Sequence, residues 1–161
     1  TLGNVSLTGG TIAPGNSPGT MNVASLTLNS SSTFEEEIAG ATAGSGYDQL
    51  IATGAVSLGN ATLSVLPTYT PTVGTVFTII TAGSVSGTFN GLADGATLSA
   101  NGVTFRVNYT ATSVTLTYVS GTAGLANTGS SVLTVLIASI LILIGTVAVA
   151  RRRTNIRLNA R

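Results

Sequence analysis

The chain has 161 residues, contains no Cys and no His, and has only 7% charged residues, against about a quarter in an average soluble domain. These absences exclude disulfides, thiol nucleophiles, Ser–His pairs and metal sites built from thiolate or imidazole. Residues 1–128 carry five carboxylates and one guanidinium, a net charge of −4. They therefore lack the basic face that binding to nucleic acid requires, and we expect no nucleic-acid partner.

Residues 1–119 are predicted to form β-strands throughout, because short alternating segments are bounded by Gly, Asn and Pro. No segment before Val132 has a sustained apolar stripe at helical spacing. Examples of the predicted strands are Val5–Leu7, Ala24–Leu28, Thr33–Ile38, Gln49–Thr53, Ala55–Leu58, Thr62–Val65, Val76–Thr81, Thr104–Tyr109 and Val114–Tyr118.

A loose internal repeat runs through these strands. V-S-L at Val5–Leu7, S-L-T-L at Ser25–Leu28 and V-S-L at Val56–Leu58 are each followed by a small polar corner and a second strand. One such unit cannot bury an interior alone, but stacked units can. The repeat therefore predicts a β-solenoid.

Several segments resemble a known family. Gly9–Met21, with the sequence G-G-T-I-A-P-G-N-S-P-G-T-M, is similar to the Gly-Pro turn of autotransporter-associated β-strand repeats and passenger-type right-handed β-helices. Val85–Ala96, Thr104–Thr110 and Val114–Tyr118 resemble the terminal rungs of that family. The resemblance covers residues 8–119. It implies an all-β fold, a right-handed parallel β-helix ending in a cap, which serves as a stalk and has no catalytic residue, cofactor or metal.

The acidic run Glu35-Glu36-Glu37 departs from that family, which more often has an apolar residue where Glu36 stands. Phe34, Glu36 and Ile38 share one face of a strand, because side chains alternate between the two faces. Two alternatives remain open from the sequence. Glu36 points inward near a rim of the solenoid, or a β-bulge shifts the alternation.

The carboxylates also suggest two chemical roles. Glu35, Glu36, Glu37 and Asp48 could supply oxygen ligands to Ca²⁺, but their spacing lacks the Asp, Gly and Asn pattern of a calcium loop. Glu37 and Asp48 could form the carboxylate pair of a glycoside hydrolase. We favour a solvated acidic strand over both roles, and predict neither a metal site nor an active site.

An apolar run of 19 residues, Val132 to Ala150, follows the β-region. As a helix it spans about 28 Å, close to the hydrocarbon thickness of a bilayer. Twelve of its residues are Leu, Ile or Val, which together favour insertion by roughly 4 to 7 kcal/mol. Arg151, Arg152 and Arg153 follow directly and predict a membrane stop, with the tail 151–161 in the cytoplasm.

The pentapeptide Leu125-Ala126-Asn127-Thr128-Gly129 lies in the linker 120–131, just before this run. With the apolar run and the Arg tail it resembles the cell-wall sorting signal of Gram-positive surface proteins, the L-P-x-T-G class. Ala126 replaces the usual Pro, as in the L-A-x-T-G variant of one actinobacterial sortase class. The resemblance implies that a sortase cysteine attacks the carbonyl of Thr128. The threonyl group then passes to an amine of the peptidoglycan precursor.

These observations predict a cell-surface stalk that is first held in the membrane through 132–150 and then joined to the cell wall. Such a tail requires export, and the sequence starts at Thr1 without a signal peptide, so we expect a longer N-terminal region. Three alternatives remain: a stalk with a plain membrane anchor, the stalk of a Gram-negative autotransporter, and a polysaccharide-degrading β-helix enzyme. The single apolar run argues against the second, and the isolated Arg106 argues against the third.

Overall fold

The computed structural model describes residues 1–16 and 18–121 of the chain. Within these residues the secondary structure consists of twelve strands, without a helix, so the all-β prediction for this region is confirmed. The strands are β1 (Leu2–Ser6), β2 (Gly10–Ile12), β3 (Thr20–Thr27), β4 (Ser32–Ile38), β5 (Gln49–Ala52), β6 (Ala55–Ser57), β7 (Thr62–Pro67), β8 (Val76–Thr81), β9 (Ser84–Ser86), β10 (Thr97–Ala100), β11 (Val103–Tyr109) and β12 (Ser113–Gly121).

The repeat segments stack in parallel and in the register that the sequence indicates. Val5 on β1 lies opposite Leu26 on β3, which lies opposite Val56 on β6, which in turn pairs with Val85 on β9. The second strand of each unit stacks in a separate three-stranded sheet, in the order β2-β4-β7. The inward residues of both sheets are therefore brought together, as the repeat requires.

The larger sheet has nine strands and is mixed, so the predicted right-handed parallel β-helix is wrong. Its strands β10, β11 and β12 pair antiparallel with one another in sequence order, and β12 pairs antiparallel with β8. The chain reverses at Asn101 and Gly102, whose φ angles of 48° and 76° are both positive, as in a type I′ hairpin turn. Thr104–Thr110 and Val114–Tyr118, which resemble terminal rungs, therefore lie in the antiparallel strands β11 and β12.

Each of the nine example segments overlaps an observed strand, whereas β9 and β10 lie outside those segments and outside the repeat units. Both are short, and most of their residues are exposed. The predicted transmembrane helix 132–150 lies outside the described residues, as do the sorting motif and the basic tail. Over residues 1–16 and 18–121, no helix has the length and hydrophobicity needed to cross a membrane.

Aromatic rings join the parallel and antiparallel parts of the structure into one core. Phe77 on β8 meets Phe105 on β11 with ring centroids 6.0 Å apart and nearly perpendicular planes. Tyr47 packs edge-on against Phe77 at 5.2 Å. The four phenylalanines are fully buried, and such contacts add about 0.5–1.5 kcal/mol each beyond the area that they bury. The hairpin is therefore held by packing as well as by its strand pairing.

Tyr109 fixes the segment between β9 and β10 against β11. Its hydroxyl donates to the carbonyl oxygen of Leu92 at 2.9 Å and accepts from the backbone N–H of Phe89 at 3.2 Å. Its own backbone N–H donates to Oδ1 of Asp94 at 2.9 Å. Burial raises the pKa of the Tyr109 hydroxyl, so it remains a donor at neutral pH. Asp94, one of the few carboxylates, therefore holds a loop in place.

The turn between β6 and β7 requires glycine at position 59. Gly59 and Asn60 have φ angles of 53° and 62°, and a Cβ at Gly59 would collide with the carbonyl oxygen of Leu28. We expect Gly59→Ala to lower the free energy of unfolding by about 2 kcal/mol or more, since a left-handed backbone and a backbone collision add. Urea denaturation of the variant measures this.

Two glycines serve as matched controls for that measurement. Gly3→Ala should be nearly neutral, because a Cβ there meets no atom within 4 Å and the residue lies in β1. Gly74→Ala should cost about 1–2 kcal/mol, since Gly74 has a φ of 90° but open space around its Cα. Equal stability of the Gly59 and Gly3 variants would contradict the described turn.

Candidate functional site

Strand β4 carries the acidic run, and its alternation is regular. Phe34, Glu36 and Ile38 are buried, whereas Glu35 and Glu37 are half-buried on the opposite face. The parallel register with β7 is continuous along this strand, and Glu36 lies opposite Val65. Glu36 therefore points inward without a β-bulge, which settles the alternatives that the sequence left open.

The carboxyl group of Glu36 is enclosed by the core. The residue is 0% exposed, and neither Oε1 nor Oε2 has a hydrogen-bond partner. Burial, and to a lesser extent the nearby charge of Asp48, raise the pKa of Glu36 from 4.5 to about 10. The backbone N–H of Asp48, which donates to the carbonyl oxygen of Glu37 at 3.0 Å, opposes this increase in part. Glu36 is therefore a neutral carboxylic acid at pH 7.

A tight loop after β4 brings Asp48 back to this strand. The backbone N–H of Ala39 donates to the carbonyl oxygen of Gly46 at 2.7 Å, and Tyr47 forms an antiparallel bridge with Ile38. Tyr47 then packs on Phe77 and is itself buried. This return places Asp48 beside the end of β4, immediately before β5 begins.

Asp48 links two distant backbone segments. Its Oδ1 accepts the N–H of Gly19 at 2.7 Å, and its Oδ2 accepts the N–H of Glu37 at 3.1 Å. The carbonyl oxygen of Gly19 accepts the N–H of Gln49 at 2.9 Å, so Gly19 is held on both sides. A Cβ at Gly19 would lie 2.6 Å from the Cα of Gly15, which explains the glycine at this position. Asp48 is 1% exposed.

The electrostatics of this cluster are those of two acids that cannot both ionise easily. Burial raises the pKa of Asp48, and the N–H groups of Gly19 and Glu37 oppose that increase. Burial also raises the pKa of Tyr47, to which the charge of Glu36 contributes. Since Asp48 has two backbone donors and Glu36 has none, the negative charge is better solvated on Asp48. The arrangement can hold one proton, and that proton belongs on Glu36.

This geometry does not support the calcium or glycosidase roles. Glu36 lies on the opposite face of β4 from Glu35 and Glu37, so the three carboxylates do not converge. Asp48 is buried and its oxygens already accept backbone N–H groups, so a sugar cannot reach it. Over the described part of the chain, no group of three acidic residues is placed to bind a metal ion.

Sequence reasoning identified Glu36 as unusual but missed the hydrogen bond between Gly19 and Asp48. Gly19 belongs to the Gly-Pro turn quoted above, but Asp48 lies 29 residues further along the chain, and their contact is not visible in the sequence. The predicted sortase-recognition residues 125–129 and the stop residues 151–153 lie outside the described residues. A shallow depression of about 290 Å³ has no acidic or basic side chain, and is lined by Thr1, Leu2, Gly15, Thr20, Met21 and Asn22.

Comparison with known proteins adds no family assignment. No protein-family model matches the chain, and no curated protein sequence matches it significantly. The sorting signal and the β-strand repeats accordingly remain resemblances carried by the residues quoted above.

Replacing Glu36 by an apolar residue should stabilise the protein. Keeping this acid neutral at pH 7, against an unfolded-state pKa of 4.5, costs about 3 kcal/mol. We expect Glu36→Leu to raise the free energy of unfolding by about 2–4 kcal/mol at pH 7, since leucine fills similar space without a polar atom. Glu35→Leu is the control on the other face of β4, with an expected change of about 0.5 kcal/mol or less. A Glu36→Leu variant less stable than the wild type in urea denaturation would show that Glu36 has partners.

Proposed function

We propose that this chain is the stalk of a Gram-positive surface protein that a sortase joins to the cell wall through Thr128. The observation that supports this most is the order of three elements in the sequence. The pentapeptide Leu125–Gly129 is followed by the uncharged run 132–150 and then by Arg151, Arg152 and Arg153. An apolar run of this length is suited to retention in a bilayer, and the arginines are suited to the cytoplasmic side.

The folded region is consistent with a spacer. Its two stacked sheets bury apolar rows, and the acidic groups nearest to the core are occupied by backbone donors or enclosed. Ser, Thr and Asn occupy many outward positions, for example the exposed Ser6, Thr27 and Ser86, which lie in one row across the sheet. A hydroxyl-rich exterior with few charges, around a buried core, suits a protein that displays another region and does not act on a substrate.

The proposed reaction begins with the motif entering the sortase cleft as an extended peptide. The enzyme's cysteine thiolate attacks the carbonyl carbon of Thr128, and the bond to the nitrogen of Gly129 breaks as that amine takes a proton. The threonyl thioester is then attacked by an amine of the peptidoglycan precursor, which releases the enzyme. Strand β12 ends at Gly121, and the four peptide steps to Leu125 span at most about 14 Å. The folded region would therefore lie close to the sortase during cleavage.

The main alternative is a stalk held only by a plain membrane anchor, with an irrelevant pentapeptide. It shares the apolar run and the arginines with the proposal, so only the fate of the Thr128–Gly129 bond separates the two. A polysaccharide-degrading enzyme is the least supported function, since the buried carboxylates of Glu36 and Asp48 are inaccessible to a glycan.

Fractionation of cells that express the protein distinguishes these functions. Wild-type protein should be released by a wall-digesting enzyme and not by mild detergent, with Thr128 attached to cell-wall peptide by mass spectrometry. Thr128→Ala and Gly129→Ala should instead give an uncleaved precursor that detergent extracts. Asn127→Ala is the matched control, because Asn127 occupies the variable position of the motif, and it should behave as the wild type.

Full extraction of the wild type by detergent would overturn the proposal and leave the plain anchor. Replacing Arg151, Arg152 and Arg153 together tests the membrane step separately. Without those charges the apolar run should slip outward before processing, which would lower the wall-bound fraction and release uncleaved chain into the medium.

A further inference from the structure

We propose that Glu36 and Asp48 form a buried acid pair that holds a single proton, and that loss of this proton opens the fold where Asp48 ties Gly19 to β4. The pair would make the folded region most stable in acidic surroundings and progressively weaker in alkaline ones. The inference rests on the described residues alone and does not depend on the proposed wall anchoring.

The geometry assigns the proton to Glu36. Both oxygens of Asp48 accept backbone N–H groups, at 2.7 and 3.1 Å, and these donors stabilise a carboxylate. Both oxygens of Glu36 lack a partner, and the residue is 0% exposed. A charge on Glu36 would therefore be unsolvated and beside the charge on Asp48, which is the more costly of the two arrangements.

The groups that face Glu36 would not compensate a second charge. Those that act on it electrostatically are Asp48 and Glu37, both acidic, while Tyr47 is a neutral phenol. The flanking strands β2 and β7 contain no titratable residue. Among the described side chains the basic one is Arg106, which is exposed on β11 and pairs with Thr97 and Thr117 across the sheet.

The direction of the pH dependence follows from proton binding. The pKa of Glu36 is 4.5 in the unfolded reference and about 10 in the fold, so the folded state retains a proton that the unfolded state loses. The free energy of unfolding is therefore unaffected by the ionisation of Glu36 below about pH 4.5, and it falls as the pH rises from there toward 10. Across that window the unfolding equilibrium constant rises about tenfold per pH unit. The raised pKa of Asp48 acts in the same direction.

Ionisation of Glu36 would first disturb the two hydrogen bonds that Asp48 accepts. Repulsion between the two carboxylates can be relieved if Asp48 moves away, which frees the N–H groups of Gly19 and Glu37. The segment that contains Gly19 would then separate from the end of β4, while the aromatic contacts between β8 and β11 persist. This is a local opening at a defined place in the fold.

Chemical denaturation of the full chain in nonionic detergent, at pH 5 and pH 8, tests the proposal. For the wild type the unfolding equilibrium constant should be up to about a thousandfold larger at pH 8 than at pH 5. Glu36→Gln cannot ionise and should lose most of that difference, whereas Glu35→Gln should keep it. If Glu36→Gln does not fold, Glu36→Leu provides the same comparison. An unchanged pH slope in the folded Glu36 variant would overturn the proposal.

Two direct measurements complete the test. The infrared spectrum at pH 7 should contain the carbonyl band of a protonated carboxylic acid, and Glu36→Gln should lack it. The rate of amide hydrogen exchange, corrected for intrinsic rates, should rise more steeply with pH at Gly19 and Glu37 than at Phe105 or Leu116. Absence of the infrared band in the folded wild type would refute the assigned proton, and uniform exchange across these amides would refute local opening.

Discussion

Parallel pairing between strands that lie 21 to 30 residues apart determines the position of nearly every other feature. Each pairing brings one strand's inward side chains alongside those of the next, so Val5, Leu26, Val56 and Val85 form a continuous row. Since side chains alternate strictly on a strand, this register also determines which residues face solvent. The turn at Gly59 and the loop that ends at Asp48 both lead the chain into the next strand of this register.

The same constraint explains how an acidic residue came to be buried on β4. Moving Glu36 to the surface would require a one-residue slip, which would turn Glu35 and Glu37 inward and expose Phe34 and Ile38. Burying one neutral acid costs less than burying two carboxylates while exposing two large apolar groups. The acidic run therefore opposes a shift of this strand, even though its central member weakens the fold.

The sequence located most of the strands and the parallel pairing of β1, β3 and β6, because alternation and the repeated V-S-L segments are local signals. It failed on the second half of the large sheet. Asn101-Gly102 between two alternating segments is a strong hairpin signal, and the resemblance to terminal rungs obscured it. The orientation of Glu36 was left open, since alternation alone cannot distinguish an inward acid from a bulge. The contact between Asp48 and Gly19 depends on the stacking of two units, so the local sequence around either residue did not reveal it.

Strand β12 lies inside its sheet, with β11 on one side and β8 on the other, and it is the last strand of the described chain. A protease or an unfoldase that takes hold of the chain beyond Gly121 first breaks the pairing of Ser120 and Gly121 with β11. Further along, at residues 114–117, it must break the ladders to β11 and to β8 together. Strand β10, which has one neighbour, would detach much more readily. Unravelling from the carboxyl side of β12 thus meets its largest barrier where the strand is paired on both sides, at residues 114–117.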